Sequence, residues 1–156
     1  MEQNFEKHIL KINSISCLRY VLIENVILRY LPEVFLLACL NEFIYKSSSG
    51  NLYKMCLLIG IKLILCVFIG LIAGKLKYDF YINLIKKQYT LNDIKTKYIV
   101  IKGIITWGFI LSICSITYPI NISIIIFNVF IYMLTGVLFG ASIFQVTKPI
   151  LKKYSK

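Results

Sequence analysis

The side chains of this sequence that could do chemistry are few, and those that stand out are charged residues inside apolar runs: Arg29, Glu33 and Lys62. A charge at the centre of a bilayer costs from about 2.5 kcal/mol upward unless it is paired, hydrated or able to reach the surface, so each one needs an explanation. Lys62 lies ten residues beyond Leu52, about 15 Å along a helix and close to the midplane. Glu33 lies twelve residues before Tyr45, about 18 Å from the same surface. The short connection from Lys46 to Asn51 makes the two segments antiparallel neighbours, and the matched depths predict an ion pair between Lys62 and Glu33. Asn25, Arg29, Glu33 and Asn41 recur at intervals of four and eight, which puts them on one narrow stripe of a helix and lets Arg29 share Glu33. With Lys62 they form the candidate polar cluster. It either holds one span to the next or lines a path for a substrate, an ion or a proton.

Reactive constellations are otherwise scarce. Membrane hydrolysis or group transfer needs paired carboxylates, a nucleophile beside a base, or a metal cluster, and the acidic residues near the apolar runs are only Glu24, Glu33 and Glu42. His8 with Cys17 or Cys39 is the sole conceivable nucleophile and base, and nothing nearby in sequence supplies an oxyanion site. Cys17, Cys39, Cys56, Cys66 and Cys114 are odd in number, lack a CxxC pair and sit in apolar stretches, so they read as packing residues rather than a disulfide framework or metal ligands. No phosphate-binding loop occurs. The expectation is a protein without catalytic residues, metal or cofactor.

These residues are carried by long apolar segments. Apolar types make up 58% of the 156 residues and charged types 16%, against the roughly 45–50% and 25% of soluble domains. An excess of 18 Lys and Arg over 7 Asp and Glu would suggest nucleic acid for a soluble chain, but apolar runs of about 20 residues point to a bilayer and exclude that partner. The expected fold is all-α, a polytopic helical membrane protein forming a single integral membrane domain over 1–156. Four spans are expected at about 25–45, 52–74, 99–118 and 122–146, the first kinked near Pro32 because proline breaks a helix. An earlier helix over about 8–24 is expected at the interface or docked on the bundle, although Lys11, Arg19 and Glu24 do not segregate to one side. Tyr98, Trp107 and Tyr118 supply amphipathic rings to span three, and Pro119, Ile120 and Asn121 turn it tightly into span four.

Charge sets the orientation. The basic loop 75–97 carries Lys75, Lys77, Lys86, Lys87, Lys95 and Lys97, and the basic tail 147–156 carries Lys148, Lys152, Lys153 and Lys156, whereas the loop before span two offers only Lys46 and Lys54. Positive charge is retained inside, so loop, tail and both termini are expected in the cytoplasm of a cell membrane, against its anionic headgroups. A fifth span before Pro32 would demand a very tight turn at Leu31 and Pro32. Residues 77–89 alternate as an amphipathic cytoplasmic extension of span two, and Thr90 with Asp93 has the spacing of a helix start. Lys102 lies near enough to the inner end of span three to snorkel outward.

Gly70 with Gly74 and Gly136 with Gly140 are small-xxx-small pairs, the candidate helix-packing residues, and Asn121, Asn128, Thr135 and Gln145 could add interhelical hydrogen bonds. The start MEQNFEKHILK lacks the pattern of a removable signal peptide. This inventory points to a non-enzymatic accessory or interaction subunit of a membrane assembly, of the transport, export or immunity type, working through helix faces with a larger membrane protein or a second copy. The alternative is a small oligomeric transporter or channel lined by the charges of spans one and two; the lack of an internal inverted repeat weighs against it.

Overall fold

The computed structural model describes residues 2–45, 51–117 and 120–156. The described residues form five helices and no strand: α1 (Glu2–Ser14), α2 (17–45), α3 (Leu52–Ile85), α4 (Leu91–Cys114) and α5 (Ile122–Lys152). Helices α3, α4 and α5 are long and apolar enough to cross a membrane. Helix α2, about 44 Å long, carries Arg19, Glu24, Arg29, Glu33 and Glu42 and is not among those three. Lys46, and the turn residues Tyr118 and Pro119, lie outside the described residues.

Several expected boundaries are corrected. The first helical segment does not run through 8–24: the chain breaks at Ser16, whose extended backbone and side-chain oxygen cap the next helix by accepting from the Arg19 N–H. From there α2 is continuous to Tyr45, and Pro32 neither ends nor interrupts it. Residues Tyr20–Tyr30 just upstream are π-wound, with the Leu31 N–H donating five residues back to Val26. A proline ring clashes with the carbonyl four residues before it in an α-helix, and the wider upstream turn eases that clash. The helix of span two continues past Gly74 to Ile85, in line with the amphipathic extension expected over 77–89, and the last helix passes Pro149 to Lys152. The capping box at Thr90 and Asp93 is formed, and α4 starts at Leu91.

Two helix pairs make the scaffold. In the first, α2 buries Val26, Tyr30, Val34, Ala38 and Glu42, and α3 buries Leu58, Lys62, Cys66, Gly70 and Gly74. Both stripes repeat every four residues, the spacing of ridges that interdigitate between helices. In the second, Gly103 and Gly108 of α4 meet Gly136 and Gly140 of α5 backbone to backbone, so closely that a Cβ on Gly103 would strike the Gly136 carbonyl oxygen. Gly103 and Gly108 are five apart, and π winding over Ile99–Gly108 puts them on one line. The Thr106 hydroxyl follows the same winding and donates to the Ile101 carbonyl at 2.7 Å.

The lysine-bearing segments gather at one pole. Ile9 and Ile12 of α1, Tyr20 of α2, Phe80, Tyr81 and Leu84 of α3, Ile94 and Tyr98 of α4 and Phe144 and Leu151 of α5 share one core. Helix α1 is therefore docked on the bundle, tied to α2 by Lys11 and Glu24 at 2.7 Å. His8 meets the Tyr81 ring edge-on, with centroids 5.4 Å apart. Desolvation first, then the charges of Lys102, Arg29 and Lys11, hold its imidazole below the ordinary 6.5. A lowered folded pKa means that docking is fully supported above about 6.5 and weakens as pH falls through the folded value. Amide exchange in α1 should therefore accelerate on acidification, and His8→Phe should flatten that dependence; an unchanged pH profile in the variant would refute it.

Candidate functional site

The buried charges form two centres rather than one. At the first, Lys62 pairs with Glu42 at 3.8 Å, both side chains almost wholly buried at 0% and 1% exposure. The expected partner, Glu33, is instead beside Arg29 on its own helix, at 3.7 Å and half-exposed. The correction follows from helix phase. Glu33 and Glu42 are nine residues apart, so they point to opposite sides of an α-helix at 3.6 residues per turn. The stripe that faces α3 is Val26, Tyr30, Val34, Ala38 and Glu42, one residue round from the expected Asn25, Arg29, Glu33 and Asn41. Glu42 also lies about 13.5 Å further along α2 than Glu33, so the expected level of the contact is corrected together with its rotation.

Of that expected stripe, Asn25 and Asn41 still reach neighbouring helices. Asn41 donates from Nδ2 to the Cys114 carbonyl of α4 at 2.7 Å. Asn25 belongs to the second centre, where its Nδ2 donates to the Gly70 carbonyl at 2.7 Å while its Oδ1 accepts from Lys77 Nζ at 3.1 Å. Lys77 also donates to the Tyr30 hydroxyl at 3.2 Å and lies 4.7 Å from the centroid of that ring. Lys77 was expected among the surface cations of the basic loop, yet it is 1% exposed because α3 extends past Gly74 and turns this residue toward α2. Lys102, expected to snorkel outward, instead places its ammonium 5.6 Å from the Tyr81 ring centroid.

Gly70 and Gly74 make room for the second centre. A Cβ on Gly70 would come within 3.1 Å of Val26, and one on Gly74 within 2.9 Å of Asn25 Nδ2. Asn25→Leu removes the oxygen that Lys77 donates to and the amide on Gly70, leaving a buried ammonium with Tyr30 alone. A loss of about 2–3 kcal/mol is expected, against about 1 kcal/mol for Asn41→Leu, which breaks a single uncharged hydrogen bond and leaves no buried ammonium behind. Chemical or thermal unfolding of both variants in one detergent checks the order.

At the end away from the lysines, α2, α4 and α5 enclose an open groove of about 450 Å³. Asn41, Ser115, Thr117, Asn128 and Tyr132 line it together with Leu37, Leu40, Leu111 and Cys114. Its polar groups are uncharged. Asn41 and Cys114 lie at its wall, joined by their hydrogen bond, and Asn41 is next in sequence to Glu42 of the buried ion pair. Asn128 thus serves the groove rather than an interhelical bond, while Asn121 caps its own helix through the Ser123 and Ile124 N–H groups and Thr135 donates to Ile131 in the same helix. The spacing rule that selected Gly136 and Gly140 missed their partners Gly103 and Gly108, whose interval of five is readable only with π winding.

His8 lies against Tyr81 at the lysine-rich pole, and the described residues contain no cluster of three or more His, Cys, Asp or Glu able to hold a metal. Cys66 and Cys114 are buried among apolar neighbours, as packing residues would be. Comparison with protein-family models, with curated proteins and with solved structures finds no match to this chain.

Proposed function

We propose that this chain is a non-enzymatic, multi-pass membrane protein of four spans that serves a larger membrane assembly as an accessory or interaction subunit. In this reading α2 is the fourth span, its outward residues Leu22, Ile27, Leu28, Phe35, Leu36 and Phe43 being exposed and apolar. The lysine-rich pole and both termini face the cytoplasm. A single reagent-accessibility experiment tests the topology: cysteines placed at 86 and 156 in a cysteine-free variant should be shielded from an impermeant thiol reagent in intact cells, and one at 120 should react. Opposite behaviour of 86 and 156 would refute it.

One observation carries the choice of an interaction role over a conducting one: the two charged centres are not joined. Lys62 and Lys77 are about 22 Å apart along α3, and Val34, Cys66, Ala73, Ile110 and Ile113 pack as an apolar layer between them. Among the described residues no hydrogen bond or ion pair joins Lys62 and Glu42 to Lys77, Asn25 and Tyr30. The uncharged groove at the far end offers hydrogen-bonding groups on an apolar floor, which suits a helix end or extended segment of a partner. A photo-crosslinker at Asn128 should capture one defined membrane partner, and the same crosslinker at Ile72, on the opposite outer surface, should not; equal labelling at both sites would count against the groove.

A second reading, transport, is favoured by the absence of hydrogen bonds to Lys62 Nζ and to both Glu42 oxygens among the described residues. Such groups would bind water or a solute if the Asn41 to Cys114 bond opened. Solute flux in reconstituted vesicles that disappears in Glu42→Gln would support it, and no flux with intact protein would remove it.

A further inference from the structure

The lysine-rich pole carries a second groove, of about 300 Å³, between the first turns of α4 and the last turns of α5. Leu91, Asn92 and Lys95 form one wall, Gln145 and Lys148 the other, and the buried Phe144 lies at the base. Neither Lys95 nor Lys148 pairs with a carboxylate among the described residues. Asp93, the nearest acid in sequence, is engaged with Thr90, accepting from its backbone N–H at 3.1 Å and its hydroxyl at 2.7 Å. The groove therefore presents two ammonium groups and two amides with no internal anion to neutralise them.

The same face of α5 continues away from the groove as an apolar stripe. Phe127, Ile131, Leu134, Leu138, Ala141, Gln145 and Lys148 follow one another at alternating intervals of four and three, the spacing of one helix face, and the side chains of Phe127, Ile131, Leu134 and Leu138 are exposed. From Lys148 to Leu134 is about 21 Å along the helix, a little more than the roughly 15 Å depth of one leaflet's hydrocarbon. A bare apolar strip of leaflet length that ends in a cationic, amide-lined notch matches the anatomy of one molecule, a phospholipid with a negative headgroup.

We propose that this groove is a binding site for a single anionic phospholipid of the cytoplasmic leaflet: its phosphate lies between Lys95 and Lys148, with Asn92 and Gln145 donating to the headgroup, and an acyl chain runs along Leu138 and Leu134. The proposal needs α5 to lie in a bilayer, and does not depend on the accessory role. Simple attraction of lysines to an anionic surface would spread over all exposed lysines; here two are paired across a shaped site.

The test compares phosphatidylglycerol, phosphatidylcholine and inorganic phosphate added to the full chain in neutral detergent, read by native mass spectrometry and by melting temperature. Phosphatidylglycerol should bind as one retained molecule and raise the melting temperature, phosphatidylcholine should not, and millimolar phosphate should not. In Lys95→Gln/Lys148→Gln the apparent affinity should fall about tenfold or more. In Lys75→Gln/Lys86→Gln, which removes the same charge from exposed positions elsewhere on the pole, it should stay within about twofold. Because all four lysines are exposed, circular dichroism should confirm that both variants fold. Equal losses in the two double variants would reduce the effect to diffuse charge, and a shift of the same size with phosphate would make it an anion site without lipid; either overturns the proposal.

Discussion

Lys62→Met, with Glu42 left in place, should lower the melting temperature in detergent by on the order of 10 °C, the largest effect expected of any single side chain here. The two groups are buried together at 3.8 Å and have no hydrogen bonds to other described residues. Each charge therefore relies on the other. Removing one partner of a buried pair leaves an uncompensated charge and costs about 3–5 kcal/mol, which in a chain of this size corresponds to several degrees per kcal/mol. Removing both should reverse most of the loss, because an apolar pair of similar volume avoids desolvation altogether. Lys62→Met/Glu42→Leu is thus expected near or above the parent, and Glu33→Gln within about 0.5 kcal/mol, since its ion pair is half-exposed. A Glu33 variant as damaging as the Lys62 variant would show that the pairing is wrong. If the single Lys62 variant does not accumulate, the double variant and the Glu33 variant still decide the matter.

The second large effect is expected at Gly103. Alanine there is normally favoured in a helix by about 1 kcal/mol, but its Cβ would meet the Gly136 carbonyl oxygen and lie 3.0 Å from the Gly140 Cα. Backbone cannot rotate aside as a side chain can, so α4 and α5 must separate along their whole glycine contact. A cost of about 3 kcal/mol, the upper end for an overpacked core, is expected for Gly103→Ala. Gly136→Ala and Gly140→Ala should follow, with carbonyl contacts of 2.8 and 2.9 Å to Gly103 and Ile99. Gly60 is the internal control, since a Cβ there meets nothing within 4 Å. Gly60→Ala should be neutral or stabilising by up to about 1 kcal/mol. Urea or thermal unfolding of the three contact variants, ranked against Gly60→Ala, checks the series; a tolerant Gly103 would mean that the close approach of the two backbones is not maintained.

What could be read from the sequence was whatever depends on one segment at a time. Apolar length located helices α3, α4 and α5, the Thr90 and Asp93 spacing marked the start of α4, and alternation over 77–89 foresaw that span two would extend into the lysine-rich pole. Lipid-scale hydrophobicity and local capping are properties of contiguous residues, so no knowledge of neighbours was needed. The span expected to pass through Pro32 does so, and the π-wound turn before the proline, which no composition signal announces, eases the clash of its ring.

Tertiary structure alone decided which residues meet. Counting residues left open both the level and the bearing at which α2 meets Lys62, and the partner is Glu42, half a rotation round and about 13.5 Å along from Glu33. The same limit hid Gly103 and Gly108, whose shared face exists only under π winding, and concealed the burial of Lys77 between Asn25 and Tyr30. Rise per residue is nearly invariant within one helix, but the level at which one helix meets the next, and the azimuth, which accumulates every local departure from 3.6 residues per turn, are set only when two helices pack.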